Sequence, residues 1–201
     1  MFDGTLRPKL DPYLDALARR LARAGATANA VTIAGLVIGL FAAGAIWVEQ
    51  YWLGLALLLV SRICDGLDGA VARITSSSDY GGYLDIVLDF AFYGAIPLGF
   101  VLADPSANAV AGAVLIFSFY VNGASFLAFA IMAEKHNLTT DQNGPKSFFF
   151  STGLTEATET IVVFSLFCLF PTWFSVIAYV FAVLVFYTAI SRIVMTGRIL
   201  S

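Results

Sequence analysis

The chain has 201 residues, of which 59% are hydrophobic and only 12% charged, with a formal net charge of −3. A mean hydropathy of +0.84 lies outside soluble-globular usage and points to a polytopic membrane protein. The slightly acidic balance and the lack of a basic stripe exclude nucleic acid as a partner.

The N-terminal stretch contains Arg7, Lys9, Arg19, Arg20 and Arg23 without a long apolar run, so it does not read as a signal peptide. Leu6, Leu10, Leu14, Leu17 and Leu21 recur at helical spacing, which predicts an amphipathic helix on the membrane surface over residues 1–25. Such a helix would anchor the chain or cover a site beside it. Six apolar segments then follow, each near the ~20 residues that cross a bilayer. They are Ala28–Val48, Trp52–Ala72, Gly81–Leu102, Asn108–Ala133, Phe148–Phe170 and Thr172–Met195. The expectation is an all-α polytopic membrane protein of a single domain, 1–201, with a six-helix bundle over 28–195. Small-residue rows in the first span (Gly35, Gly39, Ala43 and Ala42, Ala45) suit close helix packing.

All eleven basic residues fall within 7–23, 62–73, 135–146 and 192–198, and the loops on the other side carry none. The positive-inside rule therefore places both termini on the cytoplasmic side. Cys64 and Cys168 would lie near opposite faces, about 30 Å apart, too far to form a disulfide. Cys64 reads as a small packing residue.

Asp65, Asp68, Asp85 and Asp89 lie within the run DGLDGAVARITSSSDYGGYLDIVLD. Ionised carboxylates in or beside apolar helices cost several kcal/mol unless a cation compensates them. Asp65 and Asp68 are spaced i,i+3, and Asp85 and Asp89 i,i+4, so each pair shares a helical face. A short turn makes the two helices antiparallel neighbours, and the four carboxylates can converge at their cytoplasmic ends. Oxygen donors of this kind suit Mg²⁺ or Mn²⁺, and two ions roughly 3.5–4 Å apart are the usual device for displacement at phosphorus. Gly66, Gly69, Gly81, Gly82 and Ala72 leave room beside them, and Arg73 offers a fork to phosphate.

This run resembles the signature of the CDP-alcohol phosphotransferase (CDP-alcohol phosphatidyltransferase) family, D-x-x-D-G-x-x-A-R, a spacer, then G-x-x-x-D-x-x-x-D. Asp65, Asp68, Gly69, Ala72, Arg73, Gly81, Asp85 and Asp89 match it in order. The spacer, residues 74–80, is shorter than the family's, and this shortening falls in the turn. The resemblance implies that Asp65, Asp68 and Asp85 hold the metal pair, with Asp89 both completing one ion and serving as general base. It further implies that Gly69, Arg73 and Ser78 contact the CDP moiety. Asn29-x-x-Thr32 resembles the family's first-span nucleotide contact, although Asn29 could equally cap its helix. A homodimer is also implied.

The activity that follows is transfer of a phosphatidyl group from CDP-diacylglycerol to a small polar alcohol, with release of CMP. A carboxylate is a weak base for an alcohol, so Asp89 would act as the O–H bond breaks. Lys135, Lys146 and Arg192 are candidates to bind the acceptor and tip the expectation towards glycerol 3-phosphate. A serine or inositol-type acceptor and a soluble CDP-alcohol donor remain alternatives. Glu156 and Glu159 could recognise the acceptor or pair with Arg192 or Lys146. From a different class, a cation transporter would also use intramembrane aspartates, but no repeat or broken helix supports it.

Overall fold

The computed structural model describes residues 3–136 and 157–200. They form seven α-helices: α1 (Asp3–Arg23), α2 (Ala28–Trp47), α3 (Tyr51–Ile74), α4 (Asp79–Ala103), α5 (Pro105–Lys135), α6 (Ala157–Leu169) and α7 (Phe174–Leu200). A single 3₁₀ turn, Pro171–Trp173, precedes α7.

Polar residues at the boundaries start and stop these helices. Gly25 leaves α1 at φ +83°, a region open to glycine without a side-chain clash. Thr27 then caps α2 by accepting a hydrogen bond from the Ala30 N–H at 3.2 Å. Ser78 does the same for α4 through the Gly81 N–H at 3.0 Å. Asp104 caps α5 through the Ala107 N–H, with Pro105 in the first turn where no N–H is needed.

The expectation of six spans is corrected. Among the described residues, four helical segments are long and apolar enough to cross a membrane: Ala28–Trp47, Asp79–Ala103, Pro105–Lys135 and Pro171–Leu200. Helix α3 has sufficient length, but Arg62, Asp65, Asp68 and Arg73 crowd its second half. Helix α6 has 13 described residues, about 20 Å at 1.5 Å per residue, which is short of a ~30 Å hydrocarbon core. The first part of the expected Phe148–Phe170 segment lies outside the described residues. The protein is nonetheless an integral membrane protein by its four apolar helices.

Helix α2 packs against both α3 and α4, α5 packs against α7 and α4, and α3 also meets α1 and α6. Small residues permit the central contact. A Cβ on Gly35 would sit 3.1 Å from Cys64 Cβ, and buried Ser61 donates to the Gly35 carbonyl at 2.7 Å. Both cysteines are free. A cluster of buried aromatics, including Phe92, Phe100, Phe164, Phe167 and Phe174, fills the bundle. Phe100 stacks on Phe174 with centroids 4.9 Å apart.

A second, smaller cluster lies under α1. Ala18 is fully buried there with Leu67, Ala70 and Val71, and Leu14 and Leu21 pack against them. Leu17 stays 41% exposed, so the leucine stripe is shared between α3 and the surroundings. The Leu6 and Leu10 side chains lie outside the described residues. Helix α1 thus rests on the back of the helix that carries Asp65 and Asp68, where Leu14 approaches Gly66.

Candidate active site

The i,i+3 spacing on α3 and the position of Asp85 on α4 bring three carboxylates together. One oxygen from each of Asp65, Asp68 and Asp85 lies within 4.8 Å of the other two. Asp68 is buried; its Oδ1 accepts from the Gly69 N–H, while its Oδ2 is buried with no hydrogen-bond partner among the described residues. A buried carboxylate oxygen left unpaired is expensive unless a cation joins it. Three hard oxygen donors around such an atom fit a divalent metal ion.

Asp89 is not one of these three but lies beside Asp65, sharing Arg62 with it. Its Oδ1 accepts from Arg62 Nη1 at 2.8 Å, and the same nitrogen lies 3.5 Å from Asp65 Oδ1. The Arg62 side chain is 7% exposed. Its guanidinium carbon lies 3.6 Å from the centroid of the Phe92 ring, and Nη2 reaches Ser61 Oγ at 3.3 Å. Sequence reasoning missed Arg62. The available signal was an arginine three residues before Asp65, on the same face of an apolar helix, where charge is rarely kept without a task.

A groove of about 220 Å³ opens beside the carboxylates, between the N-terminal end of α2, the end of α3 and the start of α4. Asn29, Thr32, Asp68, Gly69, Ser78 and Asp85 all line it, together with Ala72, Gly81 and Gly82. Because Thr27 caps α2, Asn29 is not needed as its cap and faces this groove instead. Ser78 both lines the groove and caps α4. Arg73 is drawn to the α1 side, 3.5 Å from Asp15 Oδ1, while its Nη1 stays 3.7 Å from where a Gly69 Cβ would be.

A larger cavity of about 310 Å³ lies on the far side of Asp89. Its walls are mostly apolar and aromatic (Phe90, Tyr93, Phe119, Phe126), with Asn122, Thr160 and Arg192 as polar points. Arg192 Nη1 donates to the Asn122 carbonyl and side chain, each at 3.0 Å, and to Ser125 Oγ at 2.8 Å. Among the expected acceptor residues, Arg192 lines this cavity, whereas Lys135 sits exposed in the last turn of α5. Lys146 and Glu156 lie outside the described residues, and Glu159 is in the first turn of α6.

The geometry is therefore a polar groove and an apolar cavity joined through a narrow cleft lined by Arg62, Asp65, Asp85 and Asp89. Asp89 borders both the cleft and the cavity. Comparison with known proteins places this arrangement. The chain is 44% identical over 193 residues to inner membrane protein YnjF of Escherichia coli (strain K12), covering 96% of this chain and 94% of that one. The Mycobacterium tuberculosis phosphatidylinositol phosphate synthase, crystallised with manganese and citrate, has the same fold. Its TM-score is 0.73 at 22% identity, covering 92% of this chain and 88% of that one. A second crystal structure of that synthase, with CDP-DAG bound, gives 0.71 at 22% identity, covering 91% and 92%. Residues 26–189 match the CDP-alcohol phosphatidyltransferase family, and the chain belongs to that family of membrane enzymes.

Proposed function

We propose that this enzyme transfers a phosphatidyl group from CDP-diacylglycerol to the hydroxyl of a small, inositol-type alcohol and releases CMP, working as one membrane domain. The observation that carries this reading is the polar groove ending on three carboxylates, with Asp89 beyond them at the edge of a second cavity. Support for the donor comes from the M. tuberculosis synthase, whose fold this chain shares and which has been crystallised with CDP-DAG.

Asp65, Asp68 and Asp85 would hold Mg²⁺ or Mn²⁺, with two ions as the expected number. When bound, the metal offsets the diphosphate charge and stabilises the CMP leaving group. Asn29, Thr32, Gly69 and Ser78 would seat the nucleotide in the groove, and Arg73 would reach its phosphates from the α1 side. Asp89 takes the proton from the acceptor hydroxyl while that oxygen attacks the phosphorus carrying the lipid. The phosphorus–oxygen bond to CMP breaks on the opposite side. The positive-inside pattern supports a site and termini on the cytoplasmic face, and a homodimer is the expected assembly.

An inositol-type acceptor is favoured over glycerol 3-phosphate by two points. The M. tuberculosis protein whose fold this chain shares is a phosphatidylinositol phosphate synthase. In addition, Arg192 is the one basic side chain among the described residues that lines the acceptor cavity. Purified protein given CDP-diacylglycerol, Mn²⁺ and a panel of inositol, inositol phosphate, serine and glycerol 3-phosphate should release CMP with an inositol-type alcohol. Release with glycerol 3-phosphate alone would reverse the acceptor assignment.

A further inference from the structure

We propose that Arg62 is the built-in counter-ion of the carboxylate cluster. Its fixed guanidinium ties Asp89 on α4 to Asp65 on α3, keeps the two helices together when no divalent ion is bound, and moderates how tightly ions bind. The inference rests on the reading of this cluster as a metal site, and it leaves all four carboxylates available to metal.

Asp65 and Asp68 on α3 and Asp85 and Asp89 on α4 bring like charges together, and Asp65 and Asp89 are near enough to interact directly. Such charges repel, which favours separation of the helices that carry them. Helices α3 and α4 each pack chiefly on α2 rather than on one another, so their direct apolar contact does little to oppose this. Arg62 lies in the cleft that Asp65, Asp85 and Asp89 also line. Its Nη1 donates to Asp89 Oδ1 at 2.8 Å and lies 3.5 Å from Asp65 Oδ1. A carboxylate has two oxygens, so this bond leaves Asp89 one for an ion and for the acceptor proton.

The guanidinium is itself held in place. The Phe92 ring closes one face at 3.6 Å, and Nη2 donates to Ser61 Oγ at 3.3 Å. Ser61 is anchored in turn to the Gly35 carbonyl on α2. Arg62 Nε is buried without a hydrogen-bond partner among the described residues. An arginine kept for its hydrogen bonds would use that donor, whereas one kept for its charge need not. With its side chain only 7% exposed, that charge is screened little by water.

The test is the melting temperature of purified protein in detergent, stripped with EDTA or saturated with Mn²⁺. Without metal, Arg62→Gln should melt about 8 °C below the parent, because Asp89 is left buried beside Asp65 with no opposite charge. Adding Asp89→Asn removes that orphaned charge and should return about half or more of the loss. Mn²⁺ should raise the melting temperature of Arg62→Gln about 4 °C more than that of the parent, with affinity about tenfold tighter in calorimetric titration. Loss of packing against Phe92 alone would lower the stripped and the loaded protein equally and would not respond to Asp89→Asn.

The proposal is overturned if Arg62→Gln melts within about 2 °C of the parent without metal, if Asp89→Asn restores nothing, or if Mn²⁺ raises the variant no more than the parent. Should Arg62→Gln not fold, recovery of folded protein on adding Asp89→Asn supports the proposal, and continued failure overturns it. A parent protein that shows no response to Mn²⁺ in melting or titration sinks the metal reading instead, and the metal-free comparison of the same variants still decides whether Arg62 is the counter-ion.

Discussion

A Cβ placed on Gly81 would lie 3.0 Å from Asn29 Oδ1, so α4 and α2 meet across the polar groove closely enough that a methyl group there requires the Asn29 amide to give way by a few tenths of an ångström. Gly81→Ala should therefore push the Asn29 amide into the nucleotide space. The expected effect is an approximately tenfold higher KM for the CDP donor, with kcat within about threefold, a loss of ~1.4 kcal/mol in binding. Steady-state CMP release measures it, and an unchanged KM would mean that the groove does not hold the nucleotide.

Asp89→Asn retains shape while losing the ability to accept a proton. Turnover should fall by about 10²–10⁴-fold, whereas CDP binding measured by titration should change little, because the groove is lined by other residues. Normal turnover in this variant would remove Asp89 from the role of base.

Gly39 lies behind the Arg62 shelf. A Cβ there would come within 2.6 Å of Phe92 Cδ2 and 3.0 Å of Ser61 Oγ, the two groups that fix the guanidinium. Overpacking of this kind costs about 1–3 kcal/mol. Gly39→Ala should lower the melting temperature in detergent by several degrees and reduce turnover as well. A variant as stable and as active as the parent would show that the helices yield there.

Asp104, outside the membrane-crossing helices, supplies a pH-dependent contribution. Hydrogen bonds from Ser106 Oγ and the Ala107 N–H hold its carboxyl below the ordinary carboxylate value. A lowered folded-state value means that the cap stabilises α5 above the unfolded pKa and that this contribution disappears as pH falls through the folded one. Melting curves of the parent and Asp104→Ala should differ at neutral pH and converge in acid. A constant difference at all pH values would contradict the cap's dependence on charge.

Much of the site was legible because helical spacing alone decides which residues share a face. Asp65 with Asp68, and Gly81 with Asp85, follow from that rule, and the groove brings Gly69, Ser78 and Asn29 to the same place. Whether Asn29 capped its helix could not be decided from sequence, because Thr27 two residues earlier is also a favoured cap and takes that role. Arg62 escaped because its meaning depends on Asp89, 27 residues away on another helix. The count of membrane-crossing helices failed where apolar length and site chemistry compete: the second half of α3 gives up its apolar character to carry the charges of the site.

On the proposed function, transfer of the phosphatidyl group needs a divalent ion held by three carboxylates. The most direct measurement is CMP release from CDP-diacylglycerol by purified protein stripped with EDTA and then resupplied with Mn²⁺ or Mg²⁺, beside Asp68→Asn treated in the same way. The expected result is no release after stripping, recovery on adding metal, and no recovery in Asp68→Asn, whose buried Oδ2 is lost as a ligand. Full activity without metal, or a parent-like response from Asp68→Asn, would contradict it.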